Sequence, residues 1–119
     1  MTDKYGNPKK HYYYADAPDD NNKYEHISYD TFFIELFNST LYEFCIYKAG
    51  PKALTKYVSG GIQVGDSIKK LDSLEKYIID KKIKDGELYL SYMFTDMERY
   101  LDIYSRDGVI TLIKGWTYF

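Results

Sequence analysis

Along the second half of the chain the apolar positions change period, and the changes divide residues 57–116 into elements. After Gly60-Gly61, Ile62-Gln63-Val64 alternates briefly and predicts a short strand. Ile68, Leu71, Leu74, Ile78 and Ile79 then recur at helical spacing, with Lys69, Lys70, Asp72, Glu75, Lys76 and Asp80 on the other side. Asp66 or Ser67 can cap the start of such a helix. Lys81, Lys82 and Lys84 gather where the macrodipole favours positive charge, and Asp85-Gly86 offers a left-handed stop. A helix from Asp66 to Lys84 is the expectation. Beyond it Leu88, Leu90 and Tyr92 alternate with Glu87, Tyr89 and Ser91, and Leu101 and Ile103 alternate with Tyr100, Asp102 and Tyr104. Arg106-Asp107-Gly108 carries the Asp-Gly of a tight hairpin. Val109 to Ile113 is nearly continuous in apolar character, which predicts a central strand covered on both faces.

The first half is less regular. Thr31 to Phe37 and Thr40 to Tyr47 read as a β-hairpin about Asn38-Ser39. A short helix capped by Asp30, with Phe33, Leu36 and Phe37 on one face, competes for the first of these. Ala49-Gly50-Pro51 ends the element, and residues 52–58 form a basic connector or short strand. Residues 1–26 are polar and turn-rich, with Gly6-Asn7-Pro8 and Ala17-Pro18-Asp19-Asp20-Asn21-Asn22. Within this loosely held arm His11-Tyr12-Tyr13-Tyr14 can pair as an edge strand. The expected architecture is a single α+β domain over residues 1–119: an arm to residue 26, then a core over 27–116. That core is an antiparallel sheet of five or six strands, with a C-terminal three-strand meander and one main helix packed on it.

Composition sharpens this picture at two points. Tyrosine occurs 15 times in 119 residues, more than a core of this size readily hides with satisfied hydroxyls. Codon bias in an AT-rich genome accounts for part of that excess, and interface use of surface tyrosine for the rest. The one cysteine, Cys45, excludes an intramolecular disulfide and permits a reducing compartment. With no apolar leader at Met1-Thr2-Asp3-Lys4 and no bilayer-length apolar run, the expectation is a cytoplasmic protein without a membrane partner.

Candidate chemistry is sparse. His11 and His26 lie in the polar arm, only Cys45 could join them, and a zinc site needs more ligands, so exposed histidines and no metal are expected. Cys45 lies within an apolar strand, where free cysteine behaves as a small hydrophobe. Ser59-Gly60-Gly61 lacks the following Gly-Lys-Ser/Thr of a phosphate loop. No cofactor motif and no catalytic constellation is present, and the chain reads as a non-enzyme.

Charge is uneven. Residues 15–43 hold seven carboxylates against one lysine, whereas residues 48–84 hold nine lysines against four carboxylates. The basic half has no arginine, which disfavours direct nucleic-acid recognition. In the acidic half carboxylates interleave with aromatics. On the meander Tyr89, Tyr100, Asp102 and Tyr104 share the phase opposite Leu88, Leu101 and Ile103. A surface of tyrosine and carboxylate suits a basic partner, since complementary charge speeds encounter and aromatic anchors hold it. The candidate contacts are Asp19, Asp20, Glu25, Tyr89, Tyr100, Asp102 and Tyr104.

From Val58 to Ile113 the chain resembles the immunity proteins of bacterial polymorphic and contact-dependent toxin systems. The resemblance is carried by Ser59-Gly60-Gly61-Ile62-Gln63-Val64, by Leu71 to Ile79 with Leu74-Glu75, and by Asp85-Gly86-Glu87-Leu88-Tyr89-Leu90. It continues through Tyr100-Leu101-Asp102-Ile103-Tyr104-Ser105-Arg106-Asp107-Gly108 and covers about half the chain. It implies a cytoplasmic inhibitor that binds one cognate toxin domain, often a nuclease, and blocks it without chemistry. Two other functions fit the same residues: a phage-type inhibitor of a host defence nuclease complex, and a small ligand-binding module with a pocket between helix and sheet.

Overall fold

The computed structural model describes residues 8–14, 24–38, 40–49, 55, 61–94 and 99–117. Eight strands form one open antiparallel sheet. They are β1 (Lys10–Tyr14), β2 (Tyr24–Ser28), β3 (Phe32–Phe37), β4 (Thr40–Ile46), β5 (Ile78–Lys84), β6 (Glu87–Phe94), β7 (Arg99–Arg106) and β8 (Val109–Thr117). Their spatial order is β1-β2-β3-β4-β8-β7-β6-β5. The sheet is thus two four-strand meanders joined where β4 pairs β8. This overturns the expected α+β fold of five or six strands with one main helix: strand dominates, and the described helix of any length is a ten-residue 3-10 helix, Ile68–Tyr77.

The expected helix over 66–84 fails at its second half for two physical reasons. Ile68, Leu71, Leu74 and Tyr77 recur every third residue, which aligns them on one face at three residues per turn. Leu71 is buried, while Ile68, Leu74 and Tyr77 pack against the core. Ser67 caps the start, its hydroxyl accepting from the Lys69 N–H at 3.2 Å. Ile78 has extended backbone (ψ 126°), and its N–H closes the last turn on the Glu75 carbonyl. From there the β-branched Ile78, Ile79 and Ile83 favour strand, and β5 pairs with β6 from Ile78↔Tyr92 to Lys84↔Glu87. Asp85 (φ 53°) and Gly86 (φ 81°) are then a hairpin turn and not a helix stop. Asp107 (φ 54°) and Gly108 (φ 78°) repeat the same geometry between β7 and β8, as the sequence indicated for that pair.

Other expectations divide. The hairpin of β3 and β4 forms about Asn38 (φ 49°), so the competing helix over Thr31 to Phe37 is absent. His11 to Tyr14 is an edge strand, yet the polar arm also supplies Tyr24, Glu25 and His26 to β2, an inner strand. Ile62-Gln63-Val64 is irregular and not a strand. It leads into a segment tied to β8 by Gly65 N–H to the Ile110 carbonyl (2.8 Å), Ile110 N–H to Asp66 (2.9 Å) and Ile68 N–H to Gly108 (2.9 Å). β8 is central but alternates: Ile110 and Ile113 are buried while Val109 and Thr111 are exposed, so it is not covered on both faces. Residues 52–54 and 56–58 of the basic connector, and the Gly50-Pro51 and Ser59-Gly60 breaks, lie outside the described residues.

One face of the sheet carries the core. A lateral row runs Ile27, Ile34, Phe44, Gly115, Leu101, Tyr92 across the strands, and a second runs Phe32, Ile46, Ile113, Ile103, Leu90. The 3-10 helix and Ile62 pack with these residues. Burying this face is the main favourable term, at roughly 25 cal/mol per Å2 of apolar surface. Gly115 is needed in its row because the Phe44 ring lies across it, where a Cβ would meet ring carbons at 2.4 Å. Gly115→Ala therefore forces the ring to move, and we expect a loss of about 1–3 kcal/mol in urea unfolding.

Candidate functional site

The opposite face of the sheet has no described element packed across it, and its side chains are polar and aromatic. On the C-terminal meander Tyr89 and Tyr104 are register partners, with ring centroids 5.0 Å apart. Lysines flank the pair: Lys82 lies 5.8 Å from the Tyr89 ring and Lys114 lies 5.9 Å from the Tyr104 ring. Next along the face Tyr100 stacks on Trp116, centroids 5.6 Å apart and planes within 6°. Beneath these rings the Ser91 hydroxyl donates to the Asp102 carboxylate at 2.7 Å, both buried. Burial raises the Tyr89 hydroxyl pKa, a contact with Ser91 opposes it, and the charge of Asp102 adds to the rise.

A lateral row continues this face across β4, β3, β2 and β1: Tyr100, Trp116, Glu43, Glu35, His26, Tyr12. His26 Nδ1 lies 2.6 Å from Glu35 Oε1, and the His26 ring stacks on Tyr12 at 4.8 Å and tilts against Phe33 at 5.1 Å. Glu35 stands directly opposite Glu43, an unfavourable pairing of like charges. The Glu43 carboxyl pKa is raised, chiefly by burial and then by the charge of Glu35, with Lys114 opposing. Cys45 lies one row away, and burial pushes its thiol pKa up, so it is a poor nucleophile.

Tyr89, Tyr100, Asp102 and Tyr104 come together on this face. Three of them are half-exposed rings, but Asp102 is buried below them and its partner is Ser91. Glu25 lies apart from them, on the core face of β2, buried and paired with His11. Asp19 and Asp20 lie outside the described residues. Both histidines, expected to be solvated, are instead bound to glutamates, with side chains 26% (His11) and 15% (His26) exposed. Sequence reasoning missed Trp116, Glu43, Glu35, His26 and Lys114. The signal was present in the alternation of β2, β3 and β8, but it has meaning only once the strands are ordered.

A cleft lies on the core side, between the 3-10 helix and β5–β6. It has a volume of about 230 Å3, with Leu71, Leu88, Leu90 and Tyr92 in its lining and Asp72, Glu75 and Lys81 among its polar groups. Burial, with the charges of Asp72 and Glu75, pushes the Tyr92 pKa up to about 12. Among the described residues no group of three or more His, Cys, Asp or Glu side chains is placed to hold a metal ion. None of the described helices is long and apolar enough to cross a membrane.

A carboxyl pKa raised in the folded state means that the folded chain holds its proton more tightly than the unfolded chain. The ionised form of Glu43 thus costs stability, and the cost appears as pH rises from the ordinary glutamate range through the raised folded value. Glu43→Gln should therefore be more stable than wild type near neutral pH, by a few tenths to about 1 kcal/mol. Urea unfolding at a series of pH values should show that advantage shrinking as pH falls below the ordinary glutamate range. No family model, curated protein or solved structure matches the chain.

Proposed function

We propose that the chain is an immunity protein, a non-catalytic inhibitor that binds a cognate bacterial toxin domain, a nuclease by preference, and covers its active site. The observation that carries this reading is the row of half-exposed rings Tyr89, Tyr104, Tyr100 and Trp116 on a sheet face with no described element across it. Tyrosine and tryptophan are the residues that most often dominate an interface, because a large rigid ring buries much area at small entropic cost. Lys82 and Lys114 edge the rings, while the carboxylates Glu35 and Glu43 lie beyond Trp116. A partner's basic group fits beside Glu43, where it relieves the repulsion from Glu35, and Asp102 serves from below by holding the floor of the site. Such a face selects a partner by matching each charged group and penalising any left unpaired.

A second reading, a small ligand-binding module, has the cleft of about 230 Å3 between the 3-10 helix and β5–β6 in its favour. That volume is below the usual range for organic ligands, roughly 300–1,000 Å3, and the aromatic face plays no part in it.

The test is co-expression with the product of the adjacent upstream gene, followed by purification in high salt. A one-to-one complex in which the partner's activity is lost supports the immunity reading; absence of any complex sinks it. In such a complex Tyr104→Ala should weaken binding at least about tenfold by calorimetry, since truncating an anchor costs about 2 kcal/mol or more. The same change should cost the free chain no more than about 1 kcal/mol in urea unfolding, the worth of the cross-strand pair with Tyr89, so the chain stays folded.

A further inference from the structure

β5 is an edge of the sheet, and it is an unusual one. It exposes two large apolar side chains, Ile79 (55%) and Ile83 (73%), on either side of Lys81. On the other face it carries Asp80 and Lys82, both exposed. The Lys81 N–H donates to the Asp80 carboxylate at 2.9 Å, so this amide points away from β6 and toward the open edge. A strand edge in this state is a template for another strand.

We propose that β5 is a homodimer interface, in which two copies of the chain join their β5 edges antiparallel about a two-fold axis at Lys81. The sequence of the strand, Ile78-Ile79-Asp80-Lys81-Lys82-Ile83-Lys84, is self-complementary in that register. Ile79 faces the partner's Ile83, and Ile83 faces the partner's Ile79. Asp80 faces the partner's Lys82, and Lys82 faces the partner's Asp80. Shifting the register by two residues in either direction sets Asp80 against Asp80 or Lys82 against Lys82 and separates the isoleucines. A two-fold interface requires such self-complementarity, since each contact occurs twice.

Three features oppose pairing. Lysines on an edge strand discourage addition, Lys81 meets the partner's Lys81 on the axis, and the register shift between Ile78 and Asp80 leaves Ile79 at the end of the regular ladder. Asp72 and Glu75 offset the second, because they line the same cleft as Lys81 and supply each copy with two carboxylates there. Asp80 and Lys82 at present pair within one strand at 3.5 Å, in an exposed contact of little strength. Exchanging it for two contacts across the axis releases the Lys81 amide to a main-chain hydrogen bond, the mode by which strands add to open edges. The result is one continuous sheet in which both aromatic faces point the same way, so the dimer presents two copies of the candidate site.

The test is sedimentation of the purified chain over a wide concentration range, with charge reversals on the outer face of β5. Wild type should show a concentration-dependent dimer. Asp80→Lys sets lysine against lysine at both symmetric contacts and should weaken the dimer about tenfold or more. The double variant Asp80→Lys with Lys82→Asp restores opposite charges in the same register and should restore the dimer. Circular dichroism should be unchanged throughout, since both positions are exposed. A wild-type chain that remains monomeric overturns the proposal, and so does a dimer indifferent to Asp80→Lys or a double variant that fails to recover.

Discussion

The pairing of β4 with β8 holds the molecule together. Each meander is built from strands that neighbour one another in sequence, but among the described residues only the ladder from Glu43↔Trp116 to Ile46↔Ile113 makes one sheet of the two. Its core side depends on Phe44 lying over Gly115, a contact that requires a missing side chain on one strand and a ring on the other. Cores tolerate little excess volume, so this contact fixes both identity and register. The same ladder places Glu43 beside Trp116 on the other face, so the continuity of the aromatic and acidic row follows from the packing beneath it.

That row has a mixed electrostatic character. Buried Asp102 contributes structure through Ser91 and buried Glu35 is bound to His26, whereas the charges nearer solvent are Lys82 and Lys114 on one side and Glu43 on the other. Two like carboxylates in neighbouring strands are tolerated because His26 holds one of them and Lys114 lies near the other. Such a pair carries a cost to stability. The polar groups on this face therefore differ according to depth: Ser91 and Asp102 are buried and bound to each other, and the rings above them are half-exposed.

Much of the strand pattern was legible in the residues. Alternation in Glu87 to Tyr92 and in Tyr100 to Tyr104, with Asp107-Gly108 between β7 and β8, predicted the last meander because side-chain period and turn chemistry are local properties. Tyr89, Tyr100 and Tyr104 were likewise assigned to one face from phase alone. Failure came where two local signals were both satisfied by one sequence. Ile68 to Ile79 fits a helix of 3.6 residues per turn almost as well as a 3-10 helix followed by a strand. Asp85-Gly86 serves equally as a helix stop or as a hairpin turn. Pairing with β6 decided both, since the strand satisfies backbone groups along the edge of a sheet already present.

Local chemistry in the sequence was enough to determine where the chain turns, which residues of the meander share a side, and that Cys45 is a buried hydrophobe. Long-range pairing decided the rest. It turned Ile78–Lys84 from a helix end into an edge strand, drew Tyr24, Glu25 and His26 out of a polar arm into the sheet, and buried Glu25 and Asp102. It also assembled Trp116, Glu43, Glu35 and His26 into one row, although they belong to different strands far apart in the chain. The physical reason is that strand order has no local signature. Which ladders form depends on the total apolar surface buried on one face, and that quantity exists only when all the strands are in place.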